Sequence, residues 1–522
     1  MSDRTETIAA LAHLSSAQAR TLGATPAVSF ENTITTYAEL DERATRVACA
    51  LLHSRVAPRQ RVAILARNCV EFYELLFGAA KARACLTPIN FRLSEPEIAY
   101  VLGDCEARLL FVSEEFLPAA LRIAAELPQS PQVIPLEALP RGQLSYAAWR
   151  DEAANCNLEF QPDPGDDVLM LYTSGTTGRP KGVCLTNGNY QAFLRMRTQV
   201  AGLDYRCGET VLVVLPLYHV AGVNFSLSAF AGAGRVILAR AFEPGSLLRL
   251  IQRERVNHLF LAPSMVEALL QHPDADASDF SSLKTLAYGA APMAEPVLAR
   301  AQQAIGCDLV QFYGMTESTG AGTYLAPGDH AKGAKLRSCG KPWPGVEVRV
   351  VDRRGRPLAA GEVGEIAMRG NHLMKEYWRQ QDATAQAIPD GWLRTGDAGY
   401  FDDDGYLYVH DRIKDLIITG GENVYPAEVE NALAGCPGVR EVAVIGVPSE
   451  RWGEEVKAIV VAEATQPPAA EAIIAWARAR IATYKAPKSI DFVSELPRNA
   501  AGKVLRRELR LRYWQGRERK IG

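Results

Sequence analysis

Short β-branched and aliphatic runs alternate with helical apolar patterns along most of this chain, and no other feature constrains its fold as strongly. Arg61-Val62-Ala63-Ile64-Leu65, Arg108-Leu109-Leu110-Phe111-Val112 and His258-Leu259-Phe260-Leu261 each read as a buried strand entering a loop. Between the first two, Cys69 to Ala84 carries apolar residues at helical spacing and predicts a core helix. Strands that alternate with helices in this way favour mainly parallel sheets layered with helices, an α/β fold. At 522 residues the chain exceeds what one core organises, so two or three domains are expected.

The pattern changes near Asp411. Asp402-Asp403-Asp404-Gly405 reads as a hairpin turn, and Asp411-Arg412-Ile413-Lys414-Asp415 then opens a compact final segment. That segment has its own helical run (Pro426 to Leu433) and strand runs (Glu441 to Val447, Lys457 to Ala462). We therefore expect a large domain of layered α/β sheets over residues 1–411 and a small α+β domain over residues 412–522. The basic run Arg506-Arg507-Glu508-Leu509-Arg510-Leu511-Arg512 reads as a solvated helix face.

Composition narrows the function classes. A net charge of −3 supplies no basic field for nucleic acid. Apolar runs such as Val211 to Leu217 are of strand length, far short of the roughly 18–20 residues a membrane span needs. Met1-Ser2-Asp3-Arg4-Thr5-Glu6 lacks the basic and apolar regions of a secretory signal, so a cytoplasmic protein without an integral membrane segment is expected. The 10 cysteines are scattered singly, with no C-x-x-C pair and none at metal-ligand spacing from a histidine. They are expected to be buried free thiols.

The chemistry concentrates after Leu169-Met170-Leu171-Tyr172, a strand-like run that enters Thr173-Ser174-Gly175-Thr176-Thr177-Gly178-Arg179-Pro180-Lys181-Gly182. Glycines let backbone N–H groups approach phosphate oxygens, the hydroxyls add donors, and Arg179 and Lys181 add charge. The spacing is not that of G-x-x-x-x-G-K-[ST], so a different polyphosphate loop is indicated.

This segment resembles the signature of the adenylate-forming superfamily: acyl- and aryl-CoA synthetases, peptide-synthetase adenylation domains and beetle luciferases. Further motifs of that family follow in order. They are Leu215-Pro216-Leu217-Tyr218-His219, Tyr288-Gly289-Ala290-Ala291-Pro292, Tyr313-Gly314-Met315-Thr316-Glu317 and Trp392-Leu393-Arg394-Thr395-Gly396-Asp397. Asp411 to Asp415, Gly420-Gly421-Glu422-Asn423 and Pro497-Arg498-Asn499-Ala500-Ala501-Gly502-Lys503 complete the set. The resemblance implies a large N-terminal domain with a β-barrel-like subdomain, and a small C-terminal domain that moves.

The resemblance also implies roles. Thr173, Ser174, Gly175, Thr176, Thr177 and Gly178, with Lys181, would hold ATP phosphates. Gly289, Ala290 and Ala291 would line the adenine, and Tyr313 would pack on it, with Gly314 and Met315 adjoining. Thr316 would contact the α-phosphate and Glu317 would help hold Mg2+. Asp397 would accept the ribose hydroxyls, and Arg412 would approach ribose and phosphate. Lys503 would bridge the acid carboxylate and the phosphates, offsetting the repulsion between two anions. Lys414 would be the hinge, after which Gly420, Gly421 and Glu422 would line the thiol tunnel. His219 would gate the pocket as a ring rather than as an acid or base, beside Val220, Gly222, Val223, Met265 and Tyr288.

Those pocket residues, with Ala221, Asn224 and Phe225, are mostly small or apolar and include no Arg or Lys to bind a second carboxylate. The sequence thus favours a fatty or aryl monocarboxylic acid, without separating the two. The expected function is an ATP-dependent acid:CoA ligase using ATP, Mg2+ and coenzyme A, with a small acid and CoA as partners and no nucleic acid. A homo-oligomer is left open. A stand-alone enzyme loading a carrier-protein phosphopantetheine is the alternative, although no carrier domain follows Gly522. An inactive nucleotide-binding protein is the alternative of another class.

Overall fold

Period-two alternation sorts strand residues between separate apolar layers. In His258–Leu261, Leu259 and Leu261 join one cluster and Phe260 another. In Arg61–Leu65, Val62 and Ile64 join the cluster of Phe260, whereas Ala63 and Leu65 enter a third. The shared layer thus takes side chains from two different sheets, and every position of both strands is buried. This two-sided burial is the mark of parallel strands covered on both faces.

The computed structural model describes residues 10–138, 144–153, 156, 158, 161–173, 179–291, 293–412, 415–419, 422–463, 467–498 and 504–515, with backbone alone for Asp411, Arg412 and Asn423. A nine-stranded sheet is parallel from Asp308–Tyr313 through Thr285–Gly289, His258–Leu261, Thr210–Val213 and Arg235–Leu238 to Pro26–Phe30, with antiparallel strands at both edges. A seven-stranded sheet runs from the short edge strand Glu376–Tyr377 through Lys181–Thr186, Asp167–Thr173, Cys85–Pro88 and Arg61–Leu65 to Leu109–Val112 and Gln132–Pro135. The expected core helix spans Glu71–Lys81 and is buried from Phe72 to its end. The subdomain expected to be barrel-like is a four-stranded antiparallel sheet that includes Leu393–Phe401 and Leu407–Arg412. The turn at Asp402 to Tyr406 joins those two strands as a hairpin.

Ile417–Thr419 already belongs to a separate five-stranded sheet, so the chain changes sheets between Arg412 and Ile417. Around that sheet the helix Pro426–Leu433 and the strands Val439–Ser449 and Gly453–Ala462 build a small domain with its own core of Ile417, Val429, Val444 and Val460. The molecule is therefore an α/β protein with a large N-terminal and a small C-terminal domain. Among the described residues no helix is long and apolar enough to cross a membrane.

Two expectations need correction. The basic run is a helix, Arg506–Leu511, but it does not face only solvent: Leu509 is buried, Arg506 pairs with Glu430 at 2.6 Å and Arg510 with Asp415 at 2.6 Å. Charge runs look alike in sequence whether their acids are distant in the chain or absent. Nor are all the cysteines free: Cys49 and Cys156 form a disulfide, with Cα atoms 5.5 Å apart across a sequence separation of 107. The helix Tyr146–Glu152 docks on the helix Tyr37–His53 through Trp149 Nε1 donating to Ser54 Oγ at 3.0 Å and Arg46 pairing with Asp151 at 3.2 Å. Cys156 follows that helix by four residues in the sequence. The other eight are free; six are buried, Cys307 is half-buried and Cys207 exposed.

Closing so long a loop stabilises a fold by about 2–4 kcal/mol in typical cases. Thiol titration of the unreduced, denatured protein should count eight thiols, and ten after reduction. Reductant should lower the wild-type urea midpoint and leave Cys49→Ser unchanged. Ten thiols before reduction would contradict the pairing.

Candidate active site

Several motifs meet where strands end. Thr173, Gly289 and Tyr313 each close a strand at its carboxyl end, where open α/β sheets present loops to ligands. Thr173 and Lys181 are register partners, so the two ends of the phosphate-type loop lie side by side. Ser174, Gly175, Thr176, Thr177 and Gly178 lie outside the described residues, as do Lys414, Gly420, Gly421 and Lys503 and the side chain of Arg412. Arg179 sits 5.4 Å over the Tyr100 ring, and the Tyr100 hydroxyl donates to the Pro180 carbonyl at 3.2 Å.

The turn after Tyr313 depends on backbone approach. A Cβ at Gly314 would stand 2.3 Å from the Gly320 carbonyl oxygen, so only glycine lets the chain fold back there. The fold-back forms a single 3-10 turn, Thr316–Ser318, that buries Glu317. The turn is fastened on two sides. From the helix Val220–Ala231, Asn224 Nδ2 donates to the Thr319 carbonyl at 2.7 Å. From the segment before the edge strand, the Met374 amide donates to the Glu317 carbonyl at 2.8 Å, and Thr319 Oγ1 donates to the His372 carbonyl at 2.5 Å. The Glu317 carboxylate accepts from the Tyr377 hydroxyl at 2.8 Å, and the Lys181 ammonium lies 4.7 Å from the centre of the same ring.

The segment around Gly289 and the Tyr313–Asp397 pair are equally constrained. A Cβ at Gly289 would meet the Phe312 carbonyl oxygen at 2.5 Å, and Ala290 holds φ +67°. That left-handed conformation is uncommon for alanine and is tolerated where surrounding structure over-determines it, often at functional sites. Tyr313 donates its hydroxyl to Asp397 at 2.7 Å, and Asp397 is buried. Burial, and the Asp397 carboxylate beside it, push the Tyr313 phenol well above its ordinary value. Asp397 is also the register partner of Arg412, whose backbone therefore faces it across the hairpin.

His219, expected at the pocket, precedes the helix Val220–Ala231, and its ring lies 4.7 Å from that of Tyr218. Burial lowers its pKa to about 4, with Arg92 adding to the effect, so the ring is neutral at physiological pH. Gly222 and Val223 are buried, and Val220 lies beside Gly320, next to the Glu317 turn. Met265 packs against both large apolar clusters. Tyr288 joins the cluster of Leu259 and Leu261, and its hydroxyl lies 2.9 Å from His330 Nε2. Its side chain therefore leaves the face that carries Phe260 and Ala287. Glu422 is exposed, on a strand that pairs antiparallel with Ile417–Thr419.

Sequence reading missed Tyr377 and the bracing role of Asn224. A tyrosine in a two-residue strand gives no periodic signal, and Asn224 appears in sequence as one more pocket residue.

The family model described as AMP-binding enzyme matches residues 15–378, and that of the AMP-binding enzyme C-terminal domain matches residues 428–503. The chain belongs to the AMP-binding enzyme family. It is 39% identical over 508 residues to the fatty acid–[acyl-carrier-protein] ligase ScoC of Streptomyces coeruleorubidus, covering 95% of each chain. To a feruloyl-CoA synthase of an Amycolatopsis species it is 40% identical over 494 residues, covering 93% of this chain and 96% of that one. The crystal structure of ATP-bound MatB from Rhodopseudomonas palustris superposes with a TM-score of 0.88 at 30% identity, covering 96% of this chain and 99% of that one.

The buried histidines give a pH prediction. His372 is fully buried, neither ring nitrogen has a partner among the described residues, and burial lowers its pKa to about 4. Below the ordinary histidine value of 6.5 the unfolded chain binds a proton that the folded one refuses, so stability is retained above that pH and lost as pH falls toward 4. The expected slope from this group is roughly 1 kcal/mol per pH unit. Urea unfolding between pH 7 and 4.5 should therefore show a shallower decline for His372→Leu than for wild type. Parallel declines would contradict the assignment.

Proposed function

We propose that this chain is an ATP-dependent carboxylic acid:CoA ligase that forms an acyl-adenylate from a fatty or aryl monocarboxylic acid. Two bonded pairs carry the reading: Tyr313 with Asp397, which we assign to the nucleoside end together with Gly289–Ala291, and Tyr377 with buried Glu317, which we assign with Lys181 to the phosphate end. Relatives named as acid:CoA ligases and an ATP-bound structural neighbour support it.

Two anions must meet. The acid's carboxylate oxygen attacks the α-phosphorus, the bond to pyrophosphate breaks, and an acyl-AMP anhydride results. Lys181, and Lys503 reaching in from residues 412–522, supply positive charge against that repulsion. Asp397 holds the ribose, Thr316 meets the α-phosphate, and Arg412 closes on the nucleotide from the domain junction. In the second half-reaction the CoA thiolate attacks the acyl carbon and AMP departs. Lys414 is the hinge that withdraws Lys503 and presents Gly420, Gly421 and Glu422 to the thiol. Neutral His219 serves as a ring at the pocket mouth.

Among the described residues no three His, Cys, Asp or Glu side chains cluster as a protein metal cage. One buried carboxylate, Glu317, fits instead an Mg2+ that arrives on nucleotide phosphates and takes few protein ligands. Such an ion would neutralise phosphate charge. We place the reaction in the cytoplasm, where ATP and CoA are available.

The ScoC relative favours one second reading, transfer to a carrier-protein phosphopantetheine. Purified protein with ATP, Mg2+ and CoA should release AMP only with an acid present, tested across fatty and aryl acids. AMP release that needs a carrier protein and ignores CoA would select the second reading. Lys503→Ala should lose adenylation by about 10²–10³-fold, while thioester formation from supplied acyl-adenylate survives. Equal loss of both steps would contradict its role.

A further inference from the structure

Tyr377 joins two parts of the site that sequence motifs treat separately. Its hydroxyl donates to Glu317 Oε1 at 2.8 Å, and its ring lies under the Lys181 ammonium at 4.7 Å. The ring's position is fixed from several directions. Tyr377 is the register partner of Val183, and the Trp378 amide donates to the Gly182 carbonyl at 2.7 Å. The Tyr377 amide donates to Thr384 Oγ1 at 2.9 Å. Next to it, Trp378 is clamped by Arg61, whose guanidinium stacks 3.3 Å from the indole centre while pairing with Asp167 at 2.9 Å. Lys375 pairs with Asp167 at 3.1 Å, so this edge of the sheet is locked on both sides of the tyrosine.

We propose that Tyr377 is a positioning residue for nucleotide binding: its hydroxyl orients the Glu317 carboxylate for the nucleotide-borne cation, and its ring holds Lys181 at the phosphate loop. The inference rests on the reading of Glu317 as a ligand of that cation. Chemistry separates the two contacts. Phenylalanine keeps the ring beneath Lys181 and removes only the donor to Glu317, whereas leucine removes both. A hydrogen bond to a charged group is strong enough that losing it should weaken the dependent equilibrium about tenfold or more.

Calorimetric ATP binding, with Mg2+ and with chelator in its place, distinguishes these effects without relying on turnover. Tyr377→Phe should weaken Mg2+-dependent ATP binding about tenfold and leave binding in chelator near wild type, with a lowered melting temperature that still leaves the variant folded at the assay temperature. Tyr377→Leu should weaken binding in chelator as well. On a Glu317→Gln background, Tyr377→Phe should add nothing further. If Tyr377→Phe alters neither condition, or weakens both equally, the positioning role is wrong. If Glu317→Gln itself leaves the Mg2+ dependence of wild type intact, the underlying reading of Glu317 fails instead, and the proposal falls with it.

Discussion

A carboxylate removed from water costs the fold several kcal/mol unless donors surround it, and the placement of Glu317 makes that requirement a link between sheets. Its turn follows the strand Asp308–Tyr313 of the nine-stranded sheet, while its donor Tyr377 lies on the edge strand of the seven-stranded sheet. Met374 and His372, just before that edge strand, bond the same turn through backbone groups. The seam between the two layered sheets is thus closed by hydrogen bonds to the turn that carries Glu317. Packing in the shared apolar layer brings the sheets together, and the polar links set their alignment at the site.

The sheets also explain why the motifs converge. Parallel strands end on the same side, so loops far apart in sequence open onto one edge. Thr173 and Gly289 lie in different sheets, yet each terminates a strand at that kind of edge. Close backbone approaches at Gly289, against Phe312, and at Gly314, against Gly320, fix the chain at the ends of two neighbouring strands. Function in this architecture is a property of strand ends, held by a core that need not change with the substrate.

Much of this was legible in the sequence where information is local. The strands Arg61–Leu65 and His258–Leu261 and the helix Pro426–Leu433 fall where residue patterns put them, because periodicity reports which face is buried. The motifs around Gly289, Tyr313 and Asp397 were visible because each is contiguous. What escaped notice depends on pairs of distant residues: the Cys49–Cys156 disulfide, the inward pairing of Arg506 and Arg510, and Tyr377 beneath Lys181. None leaves a trace in spacing. Tyr288 illustrates a subtler limit, because adjacent residues of one strand point to opposite faces: Ala287 joins the layer of Phe260, and Tyr288 that of Leu259.

In the proposed reaction acid and ATP react with each other in this site before any thiol takes part. Exchange of labelled pyrophosphate into ATP, measured with purified protein and no CoA, tests it most directly. Exchange that appears only when a fatty or aryl acid is added is the predicted result. An absence of exchange with every acid, from protein shown by calorimetry to bind ATP, would contradict it.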